Sequence, residues 1–256
     1  MRMLEDFARA LGFLTVLPLP CSPRDESGSF GRSFGWFPAV GLLLGALLGG
    51  GALAAGAVLP PPVSAALVVA LWVLLTGGLH LDGLMDTCDG LFAAKSPRER
   101  LEIMSDTHPG AFGVLGAVCV LLVKYGALLS LLRTDALLLL AGLLFAPVLG
   151  RWTMAAAAIL LPYARHGESL GGRFRRGAGR AQLALASGWM LAVFAALAPV
   201  QGVRTVAALA AGLTLAGALV VLALRRLSGL TGDVYGGLGE LAEAGALAAF
   251  VAGCCR

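Results

Sequence analysis

Ala136-Leu137-Leu138-Leu139-Leu140-Ala141-Gly142-Leu143-Leu144-Phe145-Ala146-Pro147-Val148 carries no polar side chain. A helix that is apolar all round is either buried or crosses a membrane. The run Val114 to Val123 reads the same way. A soluble bundle would need polar faces on most of its helices, and these runs have almost none. Composition agrees: of 256 residues, 58% are hydrophobic and 13% charged, against about 25% charged in a soluble domain. The sequence therefore predicts an all-α fold, a polytopic transmembrane helix bundle forming one integral membrane domain over residues 1–256.

A span needs about 20 residues, and about 17 suffice. Seven candidates follow: 36–58, 63–79, 111–132, 135–161, 181–199, 203–224 and 238–254. Pro147 is expected to tilt or break the fourth. Gly41, Gly45 and Gly49 share a face and could let helices approach closely. The segment 1–35 and the loops 80–110, 162–180 and 225–237 carry most of the 19 basic residues. The positive-inside rule then puts all four in the cytoplasm. The opposite turns, near Pro60, Thr134 and Gln201, are short. Polar loops on one side suit an enzyme working at one leaflet better than a transporter, which commonly needs access from both.

Met3 to Leu19 is apolar but interrupted by Glu5, Asp6 and Arg9, with Phe7, Leu11 and Leu14 at helical spacing. It predicts an N-terminal amphipathic helix at the cytoplasmic interface, ended by Pro18 and Pro20. Glu5 and Asp6 argue against a cleaved signal peptide. Cys21, Cys88, Cys119, Cys254 and Cys255 suggest neither a zinc site nor a disulfide framework.

After the second span comes His80-Leu81-Asp82-Gly83-Leu84-Met85-Asp86-Thr87-Cys88-Asp89-Gly90. If this stretch is helical, Asp82, Asp86 and Asp89 stand at i, i+4 and i+7 and share one face. Three like charges there are tolerable with a divalent cation among them. Oxygen donors select a hard ion, and Mg²⁺ commonly binds through one or two carboxylates plus substrate phosphates. The competing reading is a solvated loop. Asp106 could add a fourth carboxylate from the next helix. His80 and His108 bracket the loop and could move a proton or bind phosphate. Asp233, in the Gly-rich stretch 229–237, could bind metal or orient a hydroxyl, with Glu240 and Glu243 following on the same side.

Arginines would supply the other half of a phosphate site. Arg151 lies deep in a span, where a charge faces the bundle interior or a cavity. Arg165, Arg173, Arg175 and Arg176 lie nearer the surface. No role is assigned to the deep Lys124. No P-loop or Rossmann fingerprint is present. Together these features predict phosphoryl-group chemistry at a membrane.

Phe13 to Pro18, Gly78 to Gly90, Arg98 to Arg100, Met104 to Asp106, Gly110 to Gly113, Arg151-Trp152, Pro162 to Arg165 and Leu230 to Asp233 with Gly236 resemble, in order, the cobalamin synthase family, the adenosylcobinamide-GDP ribazoletransferases. The resemblance implies a multi-pass enzyme of the cell inner membrane. It would join adenosylcobinamide-GDP to alpha-ribazole or its 5'-phosphate with Mg²⁺, giving adenosylcobalamin or its 5'-phosphate and GMP. It implies Asp82, Asp86, Asp89 and Asp106 as metal ligands and Asp82, Asp86, Asp89, His80 and Asp233 as catalytic groups. Arg98, His108, Arg151, Arg165 and Thr231 are the substrate-binding candidates. The acceptor of the hydroxyl proton is one of the acids or His80, and spacing does not choose. Membrane lipid is the remaining partner; no nucleic acid is implied, and a homo-oligomer is left open. The acidic block is also distantly similar to that of CDP-alcohol phosphotransferases, which would make a phospholipid. There the first two acids are three residues apart and an Ala-Arg pair follows. Here the first gap is four, from Asp82 to Asp86, and no such pair follows Asp89-Gly90.

Overall fold

The computed structural model describes residues 2–18, 29–164 and 177–252, and in them the chain is helical. The helices are α1 (Arg2–Leu14), α2 (Ser29–Ser33), α3 (Phe37–Val58), α4 (Pro61–Thr76), α5 (Leu79–Phe92), α6 (Pro97–Ile103), α7 (Ala111–Leu132), α8 (Ala136–Leu160), α9 (Arg180–Gln201), α10 (Val203–Leu227) and α11 (Gly232–Val251). A 3₁₀ turn, Phe34–Trp36, leads into α3. Among the described residues six helices are long and apolar enough to cross a membrane, or seven if the bent pair α4 and α5 counts as one span. Leu115, Leu122, Leu191 and Val206 point outward from α7, α9 and α10, as a lipid-facing surface requires.

Three expectations change. The second span, read as 63–79, is a helix of 16 residues, about 24 Å at 1.5 Å per residue, and it turns by 90° into α5. The loop read at 80–110 is largely helical, holding α5 and α6. The loop read at 225–237 shrinks to the link between Leu227 and Gly232, because the Gly-rich stretch after Thr231 is the start of α11. Pro147 lies inside an unbroken α8. α1 turns Asp6, Ala10 and Leu14 inward and leaves Met3 and Leu4 exposed. Arg9 (3.0 Å) and Arg32 (3.4 Å) hold the buried Asp6 carboxylate.

Between lipid-solvated helices, association rests on close packing and polar contacts rather than on water exclusion. Gly41 and Gly45 press against the backbone of α8 at Pro147 and Leu143, and Gly49 faces Leu140. A side chain at Gly41 or Gly45 would force α3 off α8. α11 sits at the centre, against α5, α7, α8 and α10. Its glycines set the distances: Gly236 abuts the His80 backbone, Gly239 faces Met154 and Gly150, and Gly245 faces Ala211.

Buried charge fastens the same helices. Lys124 of α7 donates to Glu240 (2.6 Å) and to Glu243, both on α11, and Arg151 of α8 pairs with Glu243. All four side chains are buried. Two cations thus meet two anions in low dielectric, the condition under which buried charge is tolerated. Removing one partner strands the others. Glu243→Ala is expected to destabilise the bundle by about 3–5 kcal/mol, read as a lower unfolding midpoint in detergent micelles; an unchanged midpoint would contradict the pairing.

Candidate active site

Gly77 (φ 61°) and Gly78 (φ 70°) both adopt the left-handed conformation that side-chain-bearing residues avoid. Their N–H groups close on Leu74 (3.1 Å) and Val73 (3.0 Å), ending α4. The chain then restarts as α5 at a right angle. Val16, just past α1, donates to Leu75 (2.9 Å), so the N-terminal segment is stitched to this bend.

One face of α5 is core: His80, Gly83, Leu84, Thr87, Gly90 and Leu91 are buried. Asp82, Asp86 and Asp89 lie on the other, Asp82 exposed and the other two half-buried. Gly83 lets α11 approach so closely that a methyl there would lie 2.8 Å from the Asp233 carbonyl oxygen. The far end of α5 is held by arginines: Arg100 donates to the carbonyls of Gly90 (3.0 Å) and Leu91 (2.5 Å), and Arg226 also donates to Leu91. Cations suit a helix C-terminus. Leu230 donates to Pro162 (2.9 Å) and receives from Ala164 (2.8 Å), so the end of α8 and the start of α11 meet at this end of the bundle.

The acids do not share one cage. Among the described residues, no three His, Cys, Asp or Glu side chains are gathered closely enough to share a metal ion. Seven residues along a helix span about 10 Å, which separates Asp82 from Asp89. Asp89 also has another task. Its two oxygens accept from the N–H groups of Gly110 (2.8 Å) and Gly113 (2.8 Å), at the start of α7. Both glycines press on that carboxylate. It satisfies two donors that a helix start leaves unpaired and puts negative charge at the positive end of α7.

Asp106 lies in the connector between α6 and α7. Its carboxylate accepts from the His108 backbone (3.0 Å) and lies 2.9 Å from the His108 ring. The backbone N–H, and then the ring, hold its pKa below the ordinary carboxylate value. His108 and Arg98 are exposed, and Arg98 pairs with Glu102 (3.2 Å) along α6. Thr231 caps α11: its hydroxyl accepts from the Val234 N–H (3.3 Å) and donates to Asp233 (3.1 Å). Arg165, with Arg173, Arg175 and Arg176, lies outside the described residues.

His80 and Arg151 stand apart from the acids. Two residues turn an α-helix by roughly 200°, so His80 points away from Asp82 into the core. It is 3% exposed. Its Nδ1 lies 3.4 Å from Arg151 Nη2; a guanidinium only donates, so Nδ1 accepts. Arg151, 1% exposed, is bound to Glu243. Neither is placed to meet a substrate on the acidic face. Glu240 and Glu243, expected with Asp233 near the surface, are interior partners of Lys124 and Arg151.

The family model described as cobalamin-5-phosphate synthase matches residues 6–251. The chain belongs to this family. It is 39% identical to an adenosylcobinamide-GDP ribazoletransferase of Desulfitobacterium hafniense, with 91% of each chain covered. Proteins of the same description are 40% identical in Geotalea daltonii, covering 94% of both chains, and 42% identical in Deinococcus radiodurans, covering 91% of this chain and 81% of that one. No solved structure matches the chain.

Reasoning from sequence missed Arg100 and Arg226 as anchors of α5, and Lys124 as the centre of the ion cluster. One signal was available for the last: two deep cations, Lys124 and Arg151, balance two acids in an otherwise apolar helix. For this family member two outcomes are expected. Asp89→Ala should lower the unfolding midpoint by the equivalent of about 1–3 kcal/mol even in EDTA; a midpoint equal to the parent's would show that α7 does not depend on it. At Ser96, the hydroxyl donates to Glu99 (2.7 Å) and then the backbone N–H does so (2.9 Å), lowering the Glu99 pKa to about 2. A depressed pKa means that this capping box contributes above the ordinary glutamate pKa and is lost as pH falls toward about 2. Carboxyl NMR should find the Glu99 midpoint there; a midpoint near 4.3, the unperturbed value, would contradict the box.

Proposed function

We propose that the chain is the adenosylcobinamide-GDP ribazoletransferase of a cell inner membrane. It joins adenosylcobinamide-GDP to alpha-ribazole or its 5'-phosphate, with the α5 end of the bundle in the cytoplasm. The observation that carries this reading is the acidic face of α5, half-buried to exposed, in a chain that aligns over 94% of its length with a ribazoletransferase.

Asp82 and Asp86, one helical turn apart, are the donors proposed for Mg²⁺. Two carboxylates fit an ion that completes its shell with water and substrate phosphate oxygens. When bound, it neutralises charge on the diphosphate and orients it. The ribazole sugar hydroxyl forms the new P–O bond at the corrinoid-bearing phosphorus. The bond from that phosphorus to the GMP oxygen breaks, and GMP leaves with the electron pair. The hydroxyl proton passes to a carboxylate of the site; Asp233, whose backbone packs against Gly83 of α5, is the candidate on a second helix. Thr231 orients Asp233. Asp89 holds α7, and so the Asp106 connector, beside the acidic face. His80 is not assigned the proton, because its ring faces Arg151.

Purified protein with adenosylcobinamide-GDP, alpha-ribazole and Mg²⁺ should release GMP and form a cobamide. Folded protein yielding neither product would overturn the reading. Asp82→Asn and Asp86→Asn should each keep the parental unfolding midpoint and lower turnover by about 100-fold or more. Parental rates in either would remove that residue from the site.

A further inference from the structure

The ion cluster borders a small, partly enclosed cavity of about 10 Å³ between α4, α5, α7 and α11. Trp72, Thr76, Lys124 and Glu240 supply its polar lining, and Val69 and Leu121 are among its apolar walls. Trp72 is 2% exposed, and its indole N–H is buried with no acceptor among the described residues. Nearly every buried donor in a native protein bonds to protein or to ordered water, so one with no protein acceptor points to a ligand that accepts.

We propose that this cavity is a binding site for one ordered water molecule, which joins α4 to α11. The volume is that of about one water, too small for a lipid chain or a headgroup. A metal cation is excluded by the neighbouring ammonium. The hydrogen bonds assign the water's orientation. Lys124 spends two N–H groups on Glu240 and Glu243 and sits over the Trp72 ring, 4.3 Å from its centroid. The Thr76 hydroxyl donates to the Trp72 carbonyl (3.0 Å), which leaves its oxygen to accept. The water therefore accepts from Trp72 Nε1 and donates to Thr76 Oγ1 and to the Glu240 carboxylate. That makes three hydrogen bonds, the usual number for a buried water. Its place is one turn before the Gly77-Gly78 bend, so it ties the arm that carries α5 to the helix that carries Asp233.

Ultraviolet resonance Raman on the full chain in nanodiscs tests the donor. The parent-minus-Trp72→Phe difference spectrum should show a hydrogen-bonded indole N–H; a free N–H overturns the proposal. A crystallographic or cryo-EM map of the unsubstituted chain tests the site without a variant. Density 2.7–3.2 Å from Trp72 Nε1 is expected. An empty cavity, in a map that shows other buried waters, overturns it.

Discussion

Two buried cations and two buried carboxylates hold this bundle in one arrangement. In lipid, apolar surface does not distinguish one helix neighbour from another, because the solvent is as apolar as leucine. Lys124, Arg151, Glu240 and Glu243 do distinguish them. Only a packing that brings α7, α8 and α11 together leaves none of the four charges alone. Sliding α11 by one residue would turn its carboxylates by about 100° and break every pair. The glycines of α11 complement the charges by letting α5, α8 and α10 come close enough for the register to matter.

That register reaches the surface. α11 begins with Thr231 and Asp233, and Gly83 brings the same helix against α5. The interior charges and the exterior acids therefore share one rigid element. A polar core and a polar rim are built on the same two helices, α5 and α11, from different residues. His80 belongs to the first and Asp82 to the second, although they are two residues apart.

Much of this was legible in the chain. Apolar runs gave the long helices, and the four-residue gap from Asp82 to Asp86 gave a shared face once α5 proved helical. Gly41, Gly45 and Gly49 were readable as a seam because their spacing is local. What could not be read depends on partners far along the chain. Nothing near Lys124 announces Glu240, 116 residues on. Asp89 looks like a third ligand in the local pattern, and only the position of Gly110 and Gly113 shows it capping a helix. The right-angle bend was hidden for a different reason: it rests on the left-handed backbone at Gly77 and Gly78, and hydropathy does not report a backbone angle.

Asp89 has a consequence for how the protein comes into being. A face with three unneutralised carboxylates would resist folding until a cation arrived, and the chain's maturation would then depend on metal supply. With the Asp89 charge seated on the amides that open α7, that carboxylate is satisfied within the fold. α5 can assemble beside α7 from the chain's own groups alone. Assembly at this point is thereby written into the chain itself: the contact between α5 and α7 closes without any group from outside.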